Sequence, residues 1–191
     1  MTSLRLVAVL AMLSGCLHGC GGASLPEKFY TLSAVDSIPA MSLSAPRRIF
    51  IGPVSIPDIV NRPQMVLRVS PHRVVIAEQS RWAEPLQSAI GRVVATHLAR
   101  QLERATVVSE RAAADLQVEL DVHAIESIPG EGAAVELTWR LKDVTQRKIL
   151  REGRIDRREP ASGKDNEAIV AAHERALNHI SRTIAQAVQD L

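Results

Sequence analysis

Alternation of apolar and polar positions is clearest at 116–124. There Leu116, Val118, Leu120, Val122 and Ala124 alternate with Gln117, Glu119, Asp121 and His123. A period of two sends one set of side chains to a buried face and the other to water, which predicts a strand. The pattern returns at 135–142, with Val135, Leu137, Trp139 and Leu141 set against Glu136, Thr138, Arg140 and Lys142. Pro129-Gly130-Glu131-Gly132 between the two runs reads as a turn. The pair is therefore expected as an antiparallel hairpin, with Glu119 or Asp121 facing Arg140 or Lys142 across it. A third run, 149–157, is more charged and carries Gly153, so it is placed near an edge.

The first half of the chain holds shorter runs. Phe29, Tyr30, Thr31 and Leu32 form a brief β-type stretch, and 33–46 shows no period and reads as a loop. The run 49–56 is a strand expected to carry a bulge or sit at an edge, because Gly52-Pro53 interrupts it. The segment 57–64 is a stiff loop shaped by Pro57, Asp58, Asn61 and Pro63. Runs 65–69 and 73–77 make a hairpin around Ser70-Pro71-His72, and 106–109 is a further short strand.

Two stretches change to the helical period. Leu86, Ile90, Val93, His97, Leu98 and Leu102 recur at spacings of three and four, predicting a helix opened by 80–86 with Pro85 in its first turn. Ile169, His173, Ala176, Ile180, Ile184, Ala187 and Leu191, widened by Leu177 and Val188, predict a long helix over about 167–189 behind the cap residues Asp165 and Asn166. Strands, helix, meander and helix in that order give an α+β fold. It is a single domain, mostly antiparallel sheet, with two long helices packed on one face.

The N-terminus departs from this plan. Arg5 precedes an apolar run, 6–13, that is too short to span a bilayer, which takes roughly 20 residues. The arrangement is that of a signal peptide. It ends in Leu13-Ser14-Gly15-Cys16, which resembles the lipobox of bacterial lipoproteins, whose cysteine is lipidated and becomes the first mature residue. Cys20 is a weaker match because His18 stands where a small residue is wanted. Residues 1–15 are thus expected as a lipoprotein signal peptide, 16–27 as a lipidated tether rich in small residues, and 28–191 as the folded domain. Cys16 is the expected lipidation site, and Cys20 is left as a lone thiol in the tether.

Charge excludes one class of partner. With 23 Lys and Arg against 21 Asp and Glu, and Arg5 lost with the signal, the mature chain is nearly neutral. Nucleic-acid binding wants a concentrated basic face. The 3% aromatic content is also too poor for base-stacking platforms.

Ile51-Gly52-Pro53-Val54, then Asn61-Arg62-Pro63-Gln64, then Arg81-Trp82-Ala83-Glu84-Pro85-Leu86 stand in order behind the lipobox. Together they resemble the auxiliary lipoproteins of MCE (mammalian cell entry) transport systems. The closest group is the paraquat-inducible protein C family, also called ABC-type transport auxiliary lipoproteins. The resemblance runs from Phe29 to the final helix. It implies an outer-membrane lipoprotein on the periplasmic face, partnered with an MCE-domain protein that bridges the two membranes in lipid traffic and envelope integrity. Leu17 follows the lipidated cysteine where the enteric sorting rule places Asp for inner-membrane retention, so outer-membrane delivery is implied. Self-association into a homo-oligomer is left open.

No catalytic residue, metal site or cofactor is expected. None of the six histidines has a partner at metal-ligand spacing, and no nucleophile elbow, phosphate loop or C-x-x-C occurs. His97 and His173 fall on helix stripes and read as packed or boundary residues. The expected partner-binding residues are Asn61, Arg62 and Gln64 in the stiff loop, with Arg81 and Trp82. A stiff loop loses little entropy on binding. Trp82 has a second reading, as a packing residue at the helix start against the 65–77 hairpin. Two functions follow. One is a non-enzymatic auxiliary subunit of a lipid-transport system; the other is a lipid-anchored periplasmic enzyme or small-ligand binder, which would need a deep polar pocket.

Overall fold

The computed structural model describes residues 26–35 and 40–191. The expected signal peptide, Cys16, Cys20 and most of the expected tether lie outside the described residues. Among those described, the order is β1 (Lys28–Tyr30), β2 (Met41–Ser55), β3 (Gln64–Ser70), β4 (Arg73–Trp82), α1 (Leu86–Gln101), β5 (Leu102–Val108), a 3₁₀ turn (Arg111–Ala113), β6 (Leu116–Ile128), β7 (Gly132–Asp143), β8 (Ile149–Pro160) and α2 (Asn166–Gln189). The fold is a single α+β domain with eight strands in one mostly antiparallel, open sheet and two helices.

β6 is the hub. One of its edges carries β7 along its whole length, from Leu116 opposite Asp143 to Ile128 opposite Gly132. β7 in turn carries β8, so the meander is the expected one and β8 pairs with β7 alone. The other edge of β6 is divided. Its first half pairs in parallel with β2, from Ile49 opposite Leu116 to Ser55 opposite Asp121. Its second half meets β3 at one position, Leu67 opposite Ser127, also in parallel. β5 lies parallel to β2, and β4 lies antiparallel to β3 with β1 parallel beyond it. The sheet therefore forks between β2 and β3, and the loop joining those two strands occupies the fork. These parallel joints are not legible in the alternation, which reports burial and not strand direction.

The expected bulge is present. Pairing of β2 with β6 shifts between Ile51 and Val54, and Gly52 has φ +137°, a conformation that side chains disfavour. The strand itself is interior, between β5 and β6, and not an edge. The Gly52 carbonyl accepts from Gln117 Nε2 at 2.6 Å, and Gln117 is 4% exposed. The bulge thus buries a side chain that the alternation assigns to the wet face.

Several boundaries differ from the sequence reading. Leu102, read as part of the helix stripe, instead opens β5, four residues before the strand read at 106. β2 starts at Met41, inside the stretch read as loop. Its pairing with β5 breaks between Ser42 and Arg47, and Pro46, which has no N–H to give, falls in that break. Residues 80–82 do not open the helix. They end β4, where Ser80, Arg81 and Trp82 pair with Lys28, Phe29 and Tyr30. Pro85 sits in extended geometry at the N-cap of α1 and not in its first turn (φ −54°, ψ 126°). Strand pairing here overrides local helix signals.

The helices pack together and on one face of the sheet, α1 against β2 and β5, and α2 against β7, β8 and β2. The predicted stripes are the buried ones: Leu86, Ile90, Val93 and Leu98 of α1, and Ile169, Ala176, Leu177, Ile180, Ile184 and Val188 of α2. Ala187 is half-buried and Leu191 exposed. Asp165 caps α2 by accepting from the Ala168 N–H at 2.8 Å, worth about 1 kcal/mol. On the wet face Glu119 lies opposite Arg140 and bonds Lys142 at 2.6 Å, as the hairpin register predicts.

Candidate docking site

The loop in the fork is built by its own main chain. Val60 N–H donates to the Pro57 carbonyl at 3.1 Å and Asn61 N–H to the Asp58 carbonyl at 3.2 Å, giving two overlapping turns. Val60 is buried and pins the loop to the core, while Asn61 and Pro63 stay exposed and Ile59 is 49% exposed. The Trp82 N–H donates to the Pro63 carbonyl at 2.7 Å, and the Ala83 N–H to the Tyr30 carbonyl at 2.7 Å. The end of β4 is thereby tied to the loop on one side and to β1 on the other.

Trp82 fills the corner these bonds create. It is 7% exposed and its ring meets His173 of α2 edge-on, with centroids 6.3 Å apart at 69°. His173 Nε2 lies 2.9 Å from Ser127 Oγ. The packing reading of Trp82 therefore holds, with the partner on α2. Beyond it, the 83–85 segment is braced by an ion pair of Glu84 with Arg92, whose Nη2 also donates to the Leu32 carbonyl at 2.8 Å.

Three of the five expected partner-binding residues come together. Asn61, Arg62 and Trp82, joined by Pro63, Glu84 and Pro85, line an open hollow of about 350 Å³. Arg62 Nε is buried there without a partner among the described residues. The other two turn away. Gln64 Nε2 contacts Glu78 Oε2 at 3.4 Å, and Arg81 pairs with Glu27 at 2.8 Å. Strand alternation separates Arg81 from Trp82, so the motif they share in sequence is split in space. Pro63, Glu84 and Pro85 were not among the expected partner-binding residues. The Glu84–Arg92 spacing of eight crosses from a strand end into a helix, and no periodic signal reports it.

The titratable members of the hollow are Arg62 and Glu84, and no Ser, Thr, Cys, His or Lys stands in its lining. Among the described residues no group of three or more His, Cys, Asp or Glu is arranged to hold a metal ion. What the hollow offers is a rigid apolar floor with polar and guanidinium groups at its rim, the composition of a protein-contact surface.

The family described as ABC-type transport auxiliary lipoprotein component matches residues 30–185, which include every element from the end of β1 to most of α2. This chain belongs to that family. The auxiliary lipoprotein fold recurs in solved structures. A crystal structure of an uncharacterized protein is 18% identical, with a TM-score of 0.71 over 86% of this chain and 99% of that one. Protein XCC0632 from Xanthomonas campestris is 19% identical, with a TM-score of 0.65 over 85% and 98%. The hypothetical protein CT253 from Chlamydia trachomatis is 10% identical, with a TM-score of 0.50 over 77% and 100%. No curated protein matches. As an auxiliary transport component, a lipoprotein of this family associates with a transporter. Among the described residues no helix is long and apolar enough to cross a membrane.

Proposed function

We propose that this lipoprotein is a non-enzymatic auxiliary subunit of an MCE-type intermembrane lipid-transport system, held at the periplasmic face of the outer membrane by lipid on Cys16. The observation that carries the reading is the braced hollow at the sheet fork. Hydrogen bonds to Pro63 and Tyr30 and the Glu84–Arg92 pair hold exposed Asn61 and Pro85 and half-buried Arg62 around a buried Trp82. A preorganised contact surface of this kind costs little entropy to engage. Family membership supports a transporter as the partner, and the sequence resemblance narrows that partner to an MCE-domain protein. Leu17 after Cys16 favours outer-membrane delivery.

The site has a direct test. A photo-crosslinking amino acid at Asn61 should trap an MCE-domain protein in intact envelopes, while the same group at Arg154 on β8 should not. Equal trapping at both positions, or none at Asn61, would remove this hollow as the docking site.

A further inference from the structure

A second pocket lies at the other end of α2, between its last turns and the outer strands β7 and β8. It has a volume of about 470 Å³, and Trp139, Arg151, His179, Arg182, Thr183 and Asp190 are among its walls. Trp139 is 5% exposed, and its indole Nε1 is fully buried with no hydrogen-bond partner among the described residues. A buried donor left unpaired is uncommon in a folded protein and calls for an acceptor. The ring lies across Gly153: a Cβ added there would stand 3.0 Å from Nε1. Glycine at this position is what lets the indole pack flat against β8 in the pocket wall.

The charge around that donor is cationic. Arg182, half-buried on α2, makes no ion pair among the described residues. Arg151 on β8 gives two N–H groups to main-chain carbonyls, Leu150 at 2.9 Å and Asp190 at 3.5 Å, and none to a carboxylate. Burial, followed by the charges of Arg157 and Arg182, pushes the His179 imidazole below its ordinary range, with Glu159 opposing. The one carboxylate in the wall, Asp190, accepts from Gln186 Nε2 at 2.9 Å. The negative end of the α2 dipole also lies here and works against an anion, but two guanidinium groups outweigh one carboxylate and a half charge.

We propose that this pocket binds a phosphate group, held by Arg151 and Arg182 beside the Trp139 indole. Two guanidinium forks on different elements can engage the three free oxygens of a tetrahedral anion, more than a flat carboxylate offers. The volume exceeds that of the anion, which leaves room beside Trp139 and Ala187 for the group that carries it. That group is either a lipid headgroup or none, as in free phosphate.

The test follows the indole N–H resonances of the purified lipoprotein by NMR, with Trp139 assigned through Trp139→Phe. Inorganic phosphate and dihexanoyl phosphatidylglycerol are titrated separately, with chloride at matched ionic strength as control. The Trp139 resonance should shift saturably with at least one of the two probes and not with chloride. A response to inorganic phosphate assigns the free anion; a response to the phospholipid alone assigns a headgroup. Arg151→Gln with Arg182→Gln should weaken apparent affinity about tenfold or more with the Trp82 resonance unmoved. Arg182→Gln alone should give part of that loss. No shift with either probe, a shift matched by chloride, or unchanged affinity in both variants would overturn the assignment.

Discussion

The Trp82 ring meets His173 edge-on, joining the end of β4 to α2 through the floor of the docking hollow. One side of the indole belongs to the core and the other to the contact surface. Trp82→Ala should therefore leave a cavity and cost about 3 kcal/mol or more. Chemical denaturation should show a lower midpoint with the slope retained. An unchanged midpoint would mean that the indole is not packed as described.

Acid should loosen α2. His173 bonds Ser127 of β6, and His97 Nδ1 of α1 lies 3.2 Å from Ser181 Oγ of α2. Burial pushes His173 down to about 4. His97 falls to about 4 as well, through burial and then the charge of Arg100, with the Val35 main chain opposing. Unfolding returns both rings to their ordinary value near 6.5. Between pH 6.5 and 4 the unfolded chain thus binds protons that the folded one refuses. Each histidine then removes up to about 1.4 kcal/mol per pH unit as pH falls, with no loss above that window and none further below it. Unfolding free energy measured at pH 7 and pH 5 should fall, and by less in His173→Gln. Equal values at the two pH points would contradict the neutral buried pair.

Anchoring through Cys16 rests on the lipobox alone. Each buried CH₂ adds about 0.8 kcal/mol of membrane affinity, and firm attachment takes more than one acyl chain. Cys16→Ser should abolish incorporation of labelled fatty acid and release the protein from the membrane fraction. Continued labelling and outer-membrane fractionation of that variant would refute the site.

The β6–β7 turn separates two glycines that look alike in sequence. Gly130 has φ +78° with open space where a Cβ would stand. Gly132 has φ +145°, and an added Cβ would lie 2.0 Å from the Glu159 carbonyl oxygen, a main-chain atom that cannot move aside alone. Gly130→Ala should cost about 1 kcal/mol from backbone strain. Gly132→Ala should cost clearly more and disturb the β7–β8 register. Equal thermal midpoints for the two variants would contradict this geometry.

Much of the fold was legible because burial is written in periodicity. The meander from Leu116 to β8 and the stripes of both helices follow from alternation and three-to-four spacing. Strand direction is not written that way, so the parallel joints of β6 with β2 and β3 had no signal. Ser80–Trp82 reads locally as a helix entrance, and its pairing with Lys28–Tyr30, some fifty residues away, decides otherwise. The site was half legible for the same reason. Asn61 and Arg62 follow from loop stiffness. The turning away of Gln64 and Arg81, and the bracing by Glu84 and Arg92, depend on contacts between distant elements.

Docking at the fork is the central claim, and co-purification measures it most directly. Asn61→Ala with Arg62→Ala removes rim groups without touching the core. Affinity purification from solubilised envelopes, scored against equal amounts of lipidated protein, should recover several-fold less MCE-domain partner with the double variant than with the native chain. Undiminished recovery at normal abundance would place the interface elsewhere and contradict the account.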